Sequence, residues 1–541
     1  MKKFLSSLLS LLSVFVLLLP LFAACNKTES PTDNPSPTNT DATAIKDTDN
    51  HTSENKETNK ETDPPKSNEP DPFKDGKLSI DNNDISNYVI VIPATPKQED
   101  TRFANDLSAW VKKITGYEIT IVNDSAAPTA NEIIVGNTSR TESTEISGDF
   151  NATTHYRAVL KDGKIAIKFN KGTGGFSAIN AMQRAFANND CNITEGFTNT
   201  SLELEEIKGF VKGAIRSEIT DDGLHLYKST EAQVAAWQQL TATDKYNDWT
   251  RENAHSAIGI RLDFDTDSSY VSLKLSKATS NMVLLLNNEL VKSNWSGGIW
   301  TVPKNELGKT NRITILMSDV RDTHLWGIQE LEIDGGCKIT PHKSDLNMLF
   351  FGDSITEQFF SGQHSARHYT FYTYTYFNAE AVVQGNGSSQ IWSEMIDPDM
   401  AELYQPDVIV IALGTNDYSE NKTADVDWFE NRMDSFLDKL KEVYPEVPII
   451  GITPLRRLLS MNSSNTESNY DKTCVETACA GYARSYESHG AKVIRGDELL
   501  KKPEHYQDTV HPNDEGHLLV GENLCIAIEQ DIKQIIKNKN Q

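Results

Sequence analysis

The chain has 541 residues, of which 38% are hydrophobic and 24% charged, and its formal net charge is -25. This length is too great for one hydrophobic core, so three or four units are expected. The charge argues against a nucleic-acid partner, because phosphate binding needs clustered Lys and Arg, and it disfavours an anionic membrane surface or an acidic polymer as substrate.

The N-terminus has the pattern of an export signal. Two lysines precede an almost unbroken apolar stretch, 4–22, and Ala23, Ala24 and Cys25 follow it. Small residues directly before a cysteine resemble the lipobox of bacterial lipoproteins, in which the cysteine is acylated. The resemblance implies a signal peptide over 1–25, lipidation at Cys25, and a protein held on the extracellular face of the cell membrane through its lipid only. The alternative is an uncleaved anchor, since about 19 apolar residues just span a bilayer.

Residues 26–76 form a predicted linker. They are mostly Ser, Thr, Asn, Asp, Pro, Lys and Glu, with almost no apolar side chains. Such a segment cannot bury enough surface to offset chain entropy, so we expect a disordered tether.

Five cysteines follow this linker, spread over several units. They form neither a disulfide framework nor a zinc-ligand spacing. Cys474 and Cys479 lie five apart on a predicted helix and are expected to point in different directions. We interpret all five as ordinary small apolar residues.

Residues 77–207 have a mixed α/β pattern. Phe103 and Leu107 belong to a helix that Gly116 closes, and Asp162-Gly163 predicts a hairpin turn. The glycines near 172–175 are expected to cap a helix over 176–186. The order of these strands and helices resembles the small α/β domain that precedes the barrel in family 20 glycoside hydrolases. No catalytic role is attached to this domain. The predicted strands are 88–92, 118–122, 132–135, 156–160 and 164–169.

Residues 208–342 contain short β-like runs at 256–264, 270–275, 282–286 and 312–317, separated by Asn, Asp and Gly turns. This regularity predicts a β-sandwich. The segment 255–275 resembles the jelly-roll domain of several microbial esterases. Trp295, Trp300 and Trp326 are candidates for a sugar-stacking surface, but packing of most of them inside the sandwich is the favoured interpretation.

Residues 343–541 alternate strands with helices, which predicts a parallel sheet covered on both faces. The strand runs are 346–351, 381–383, 407–413, 448–452 and 492–494, and a helix carries Phe429, Met433, Phe436 and Leu440. Polar clusters follow three of these strands, at the edge where open α/β sheets place their sites. They are Gly352-Asp353-Ser354, Gly385-Asn386-Gly387-Ser388-Ser389 and Gly414-Thr415-Asn416-Asp417.

Together with Asp508-Thr509-Val510-His511, these clusters resemble the four blocks of the SGNH, or GDSL-like, hydrolases. The resemblance covers about 346 to the C-terminus and implies a flavodoxin-like doubly wound sheet. It also implies a serine nucleophile and three donors for an oxyanion. Gly385 is an alternative to Gly387 in the second block, and Ser389 stands where a second glycine is common. The implied site residues are Ser354, His511 and Asp508 as catalytic residues, and Ser354, Gly387 and Asn416 as oxyanion donors.

The chemistry of these residue types agrees with that assignment. A serine hydroxyl becomes a useful nucleophile when a base takes its proton, and a neutral imidazole suits this task. Asp508 can accept a hydrogen bond from the other ring nitrogen of His511 and fix its tautomer. Asp353 and Asp417 are expected to orient loops, and His517 to lie on the helix surface.

These features predict a serine esterase that hydrolyses carboxylic esters through an acyl-enzyme. Export, tethering and a sandwich of the carbohydrate-esterase type favour deacetylation of an acylated polysaccharide or oligosaccharide at the cell surface. The alternatives are a lipase or phospholipase of the same superfamily and a catalytically silent glycan-binding lipoprotein. The proposed chemistry needs no cofactor and no metal, and no motif for either is present in the sequence.

Overall fold

A computed structural model describes residues 71–146, 150, 152–240, 258–277, 282–317, 327–357, 365–461 and 469–541. The chain from Pro70 to Gln541 forms one compact unit. The predicted signal peptide, Cys25 and most of the linker lie outside the described residues. Folded structure begins before 77, because the Phe73 ring packs edge-on against Trp110 with 5.4 Å between ring centroids.

The first part of the fold is a mixed α/β layer. Four of its five sheet strands run parallel, and the fifth pairs antiparallel through the predicted hairpin, where Asp162 and Gly163 both have positive φ. In sheet order the strands are Ile121–Asn123, Val89–Ile92, Glu132–Val135, Lys164–Phe169 and Tyr156–Lys161.

Helices cover this sheet. Gly116 ends the first helix in the left-handed conformation, as its sequence position predicts. The third helix begins at Gly172 rather than near 176, so the glycine cluster forms its first turn. The helices are Gln98–Thr115, Thr141–Glu145 and Gly172–Asn188, and a three-stranded sheet joins Ser79–Ile80, Asn83–Asp84 and Asn192–Ile193.

A sandwich of two antiparallel sheets follows. One sheet contains Val211–Lys212, Arg261–Thr266, Asn311–Leu316, Met282–Leu286, Glu289–Trp295 and Ile339–Pro341. The other contains Arg216–Thr220, Gly223–Tyr227, Ile328–Ile333, Tyr270–Leu275, Gly298–Thr301 and Thr200–Leu202. The last of these strands lies before residue 208, so the sandwich recruits a strand from the preceding segment. The helices Leu204–Lys208 and Glu231–Leu240 accompany the two sheets.

Two of the three candidate tryptophans pack in the core of the sandwich. Trp295 is buried between the sheets, and Trp300 packs half-buried against the same core. Trp326 lies outside the described residues. The positions of Trp295 and Trp300 therefore do not support a sugar-stacking surface.

The C-terminal part is a doubly wound α/β domain. Its five strands are parallel and have the sheet order Ala379–Gly385, Leu346–Gly352, Val408–Ala412, Ile449–Ile452 and Lys492–Ile494. In chain order this is 2-1-3-4-5, the flavodoxin-like arrangement.

Both faces of this sheet are covered. Along one strand Met348 and Phe350 belong to one core, and Leu349 and Phe351 belong to the other, as the two-residue side-chain period requires. Tyr369–Tyr376 and Asp514–Lys539 lie on the first face, and Val426–Val443 and Cys479–Ser488 on the second. Shorter helices are Met400–Leu403, Thr415–Glu420 and Gly496–Leu499, with 3-10 turns at Ile85–Asn87, Lys304–Glu306, Ser365–Arg367, Ser393–Met395 and Pro503–His505.

The expected divergence of Cys474 and Cys479 is wrong. Cys474–Ala478 is a π-helix, and the Cys479 N–H donates to the Cys474 carbonyl. Its wider turn places residues five apart above one another, so the two thiols contact each other. Both cysteines are free and buried.

Among the described residues, none of the helices combines the length and the apolar composition that a bilayer-spanning helix needs.

Candidate active site

Ser354 lies in a tight turn directly after the strand Leu346–Gly352. The backbone N–H groups of Thr356 and Glu357 both donate to the Asp353 carbonyl, at 3.0 and 2.9 Å, so the chain turns helically at once. Gly352 permits this turn, because a Cβ there would lie 1.8 Å from Thr356 Oγ1. The turn leaves the Ser354 side chain only slightly exposed at the C-terminal edge of the sheet.

His511 lies 157 residues after this serine in the sequence, and the fold brings the two side chains into contact. The distance from Ser354 Oγ to His511 Nε2 is 2.8 Å, and His511 Nδ1 lies 2.8 Å from Asp508 Oδ2. The loop that carries Asp508 and His511 is closed by a hydrogen bond from the Gln507 N–H to the His511 carbonyl, at 2.9 Å. Asn513 then caps the helix Asp514–Lys539. The structure thus brings together three predicted site residues.

Asp508 is arranged to remain ionised. Burial raises the pKa of its carboxyl, but hydrogen bonds from the His511 ring and from the backbone N–H groups of His511 and Val510 outweigh it and hold the pKa at about 2. An ionised Asp508 accepts a hydrogen bond from the N–H at Nδ1 of His511 and so fixes the proton on that nitrogen. Nε2 is then left as the acceptor for the Ser354 hydroxyl proton.

The glycine-rich segment 385–389 leaves the edge strand beside this serine. Gly385 ends the strand and touches the nucleophile turn, since a Cβ on it would lie 2.5 Å from Glu357 N. Asn386 N–H donates to the Gly352 carbonyl at 3.2 Å, and Ser389 N–H closes a turn onto the Asn386 carbonyl at 3.1 Å. Gly387 is buried within this turn. Gly385 therefore has a packing role, and Gly387 stays the predicted donor.

Asn416 meets the same segment from the neighbouring strand. It lies in the first turn of Thr415–Glu420, and its side-chain Nδ2 donates to the Ser389 carbonyl at 2.9 Å. A primary amide has two N–H groups. One of them holds the glycine-rich turn in place, and the second is the candidate donor to an oxyanion.

Residues 350–519 match the GDSL-like Lipase/Acylhydrolase family. The C-terminal domain is a GDSL-like hydrolase domain. The matched segment contains Ser354, Gly387, Asn416, Asp508 and His511. No curated protein matches the chain.

Solved structures similar to the chain include three relevant proteins. The salicylyl-acyltransferase SsfX3 of a tetracycline biosynthetic pathway is 15% identical over 61% of this chain and 97% of its own, with a TM-score of 0.46. A putative GDSL-like lipase from Bacteroides ovatus is 15% identical over 62% and 98%, with a TM-score of 0.44. A family two carbohydrate esterase from Cellvibrio japonicus is 15% identical over 62% and 98%, with a TM-score of 0.39.

Two buried carboxyls support the loops of the GDSL-like hydrolase domain. Asp353 Oδ1 accepts from Ile355 N–H at 2.9 Å, and Asp417 accepts from Ile391 N–H at 3.0 Å and lies 3.4 Å from Arg432 Nε. Burial raises the pKa of each carboxyl to about 6. Their hydrogen bonds agree with the expected orienting role.

His517 was expected on the helix surface, and this is wrong. The residue is fully buried beneath the nucleophile turn, its ring stacks on Tyr369, and its centroid lies 4.4 Å from that of His368. Burial, followed by repulsion from His368 and His511, lowers its pKa well below the usual range. The helix that carries it packs its first turn inward, which the spacing from His511 did not reveal.

One residue at the hydrolase site had no signal in the sequence. Lys228, at the end of the sandwich strand Gly223–Tyr227, is fully buried and donates to the Gly385 carbonyl at 2.5 Å. A single lysine after a short strand has no distinguishing pattern. Its proximity to the glycine-rich segment is a product of how the sandwich packs.

Proposed function

We propose that the chain is a serine esterase that hydrolyses carboxylic esters through an acyl-enzyme. The observation that carries the proposal is the chain of contacts from Ser354 through His511 to Asp508, with 2.8 Å at each step. This is the arrangement of nucleophile, base and orienting acid in serine hydrolases, recognised by its geometry.

The reaction follows from these contacts. Ser354 Oγ attacks the ester carbonyl carbon while His511 Nε2 takes the hydroxyl proton. Backbone N–H groups of Ser354 and Gly387 and the Asn416 amide stabilise the oxyanion. The tetrahedral intermediate expels the alcohol, which receives the proton from His511. Water then attacks the acyl-enzyme in the same way, releasing a carboxylic acid and returning the proton to Ser354.

Labelling with a fluorophosphonate tests the activated serine. We expect the reagent to modify Ser354, and we expect His511→Ala to abolish the modification while leaving the melting temperature within a few degrees. Ser435→Ala, which removes an exposed serine on the helix Val426–Val443, serves as the matched control and should label normally. A folded wild-type protein that is not modified at Ser354 would contradict the mechanism and favour a silent glycan-binding protein.

As substrate we propose an acylated glycan, with acetyl as the leading acyl group. The export pattern, the tether and the sandwich that accompanies the hydrolase domain support this choice. Release of acetate from acetylated xylan should depend on Ser354, so that Ser354→Ala loses it. Activity confined to long-chain esters would exclude the glycan.

A lipase remains a second candidate because of two exposed apolar side chains. Leu459 is 62% and Met461 45% exposed. They follow Leu458, whose N–H donates to the Thr509 carbonyl at 2.9 Å, so they lie beside the catalytic loop. A series of aryl esters from acetyl to dodecanoyl, assayed with wild type and Leu459→Ser, separates the candidates. A lipase gains activity with chain length and loses that gain in the variant, whereas an acetyl esterase does neither.

We further propose that lipid on Cys25 holds the enzyme at the cell surface. The sequence around Cys25 supports this, and the acidic linker would then separate the catalytic part from the membrane. Metabolic labelling with palmitate in a bacterial host should modify the wild type and not Cys25→Ser. Equal labelling of both would exclude this attachment.

A further inference from the structure

The sandwich covers the free edge of the parallel sheet. Ala379–Gly385 is the edge strand, and Arg261 Nη2 donates to the Ala379 carbonyl at 3.0 Å. Further along the strand the sandwich backbone comes close, because a Cβ on Gly259 would lie 2.8 Å from Val383 Cγ2. The last contact is that of Lys228 with the Gly385 carbonyl, at the end of the strand where the candidate active site lies.

Lys228 is an unusual residue for a packing contact. Its side chain is fully buried, and burial lowers the pKa of its ammonium to about 8, although the charge of Glu357 opposes this. Burying a lysine is costly unless its charge is compensated. Glu357, also fully buried, belongs to the turn that carries Ser354. The lysine from the sandwich thus interacts with both loops of the site.

The bond to Gly385 restrains one particular peptide unit. Its carbonyl accepts from Lys228, and its N–H, that of Asn386, donates to the Gly352 carbonyl immediately before the nucleophile turn. The unit is therefore held from both sides. Gly387 N–H is the next N–H along the chain, and a rotation of the held unit would displace it from its position relative to Ser354.

The backbone of Lys228 is fixed as well. Its carbonyl accepts from the Gln384 side chain, and the neighbouring Ser229 Oγ lies 3.4 Å from Gln384 Oε1. Nearby, Gln233 Nε2 donates to the Met395 carbonyl at 2.9 Å. The side chain thus extends from a backbone segment that is itself bound to the hydrolase domain, so its position is well determined.

We propose that Lys228 is a positioning residue through which the sandwich holds the oxyanion donors of the hydrolase domain. The inference rests on the proposed esterase function. The lysine does not touch the reacting atoms. It holds the Gly385–Asn386 peptide so that Gly387 N–H faces the developing oxyanion. The sandwich is then part of the catalytic apparatus as well as a neighbouring domain.

The test compares two buried lysines of the sandwich. Lys228→Met removes the ammonium and keeps an unbranched side chain that reaches as far as the Cε position. Lys212→Met is the matched control, because Lys212 is also buried and donates to a backbone carbonyl, that of His342, at 2.6 Å, in the connection to the hydrolase domain rather than at the site. Both are made in the full chain and assayed on an aryl acetate.

We expect Lys228→Met to lower kcat about 10- to 100-fold with KM changed less than about threefold, since a misplaced donor acts on the transition state. Affinity for a phenylboronic acid, which forms a tetrahedral adduct on the serine, should fall in parallel with kcat. Lys212→Met should leave kcat and boronate affinity within about twofold. Lys228→Arg, which keeps a cationic donor, should recover part of kcat.

A double variant, Lys228→Met with Glu357→Gln, distinguishes a loss of folding stability from a loss of donor positioning. This double variant also removes the buried carboxylate whose charge interacts with the Lys228 ammonium in the wild type. A regained melting temperature with kcat still low supports the proposal, whereas recovery of both overturns it. An unchanged kcat in Lys228→Met, in an enzyme whose Ser354 reacts with fluorophosphonate, also overturns it. A wild type without that reaction overturns the esterase function itself.

Discussion

The Tyr482 ring occupies the space that a side chain on Gly414 would need. A Cβ on Gly414 would lie 2.4 Å from Tyr482 Cε2, and the glycine has φ of 113°. Gly414 is the N-cap of the helix Thr415–Glu420, so its conformation also fixes the position of Asn416 in the first turn. The left-handed backbone and the aromatic ring together require glycine at this point.

Gly414→Ala is therefore expected to lower the free energy of unfolding by about 2–4 kcal/mol, from backbone strain and overlap combined. Gly490→Ala is the matched control, since Gly490 also has positive φ, 69°, but open space around its Cβ. It should lose only about 1 kcal/mol and keep full activity. Urea denaturation of both variants measures the difference, and equal losses would show that Tyr482 imposes no constraint.

Asp508→Asn is expected to reduce kcat roughly 10²- to 10⁴-fold. The amide oxygen can still accept from the backbone N–H of His511, but the amide nitrogen then faces Nδ1 of the ring. This favours the tautomer with the proton on Nε2, which cannot accept the Ser354 proton.

Steady-state rates between pH 6 and 9 measure the effect of that change. Because the pKa of Asp508 is about 2, its own titration should not appear in the wild-type profile. Asp514→Asn, which changes a neighbouring carboxylate 3.8 Å from Arg367, should keep near wild-type rates. Similar losses in both variants would speak against a specific role for Asp508.

Asn416→Ala is expected to lower kcat about 10²- to 10³-fold with little change in KM, because the amide acts on the oxyanion of the transition state. Asn421→Ala, near the end of the same short helix, removes an amide that donates only to the Asp417 carbonyl among its described contacts, at 3.1 Å. It should alter kcat less than about threefold. A pure increase in KM for Asn416→Ala would indicate substrate binding instead.

Asp353→Asn is expected to stabilise the fold at neutral pH. The folded pKa, about 6, lies above the usual 3.8, so the native state prefers the protonated carboxyl. The resulting penalty is absent below about pH 4, grows as the pH rises to about 6 and is constant above, reaching roughly 1–3 kcal/mol. The amide removes it while its oxygen still accepts from Ile355 N–H. Denaturation at pH 4.5 and 8 should show a larger gain at pH 8, and a pH-independent difference would contradict the assignment.

The strand–helix order of the C-terminal domain was predictable because each buried strand is an unbroken apolar run that ends in a polar cluster. The meeting of Ser354, His511 and Asp508 followed from the family resemblance, and the structure brings these three residues together. His517 escaped prediction because its position in the first turn of the helix Asp514–Lys539 has no burial signal of its own. The contact between Cys474 and Cys479 depended on a π-turn, which spacing does not encode. The contact of Lys228 with the Gly385 carbonyl depended on packing between two domains, which brings together residues that are far apart in the sequence.

The cover over the strand Ala379–Gly385 also has a consequence for solubility. A parallel sheet with an uncovered edge offers unpaired N–H and C=O groups to any other extended chain. A fragment that begins near residue 343 would expose this edge, which is apolar on both faces, at residues such as Val382 and Val383. Such a fragment would self-associate through strand pairing even with its active site intact. We therefore expect the hydrolase domain to need the sandwich to remain monodisperse.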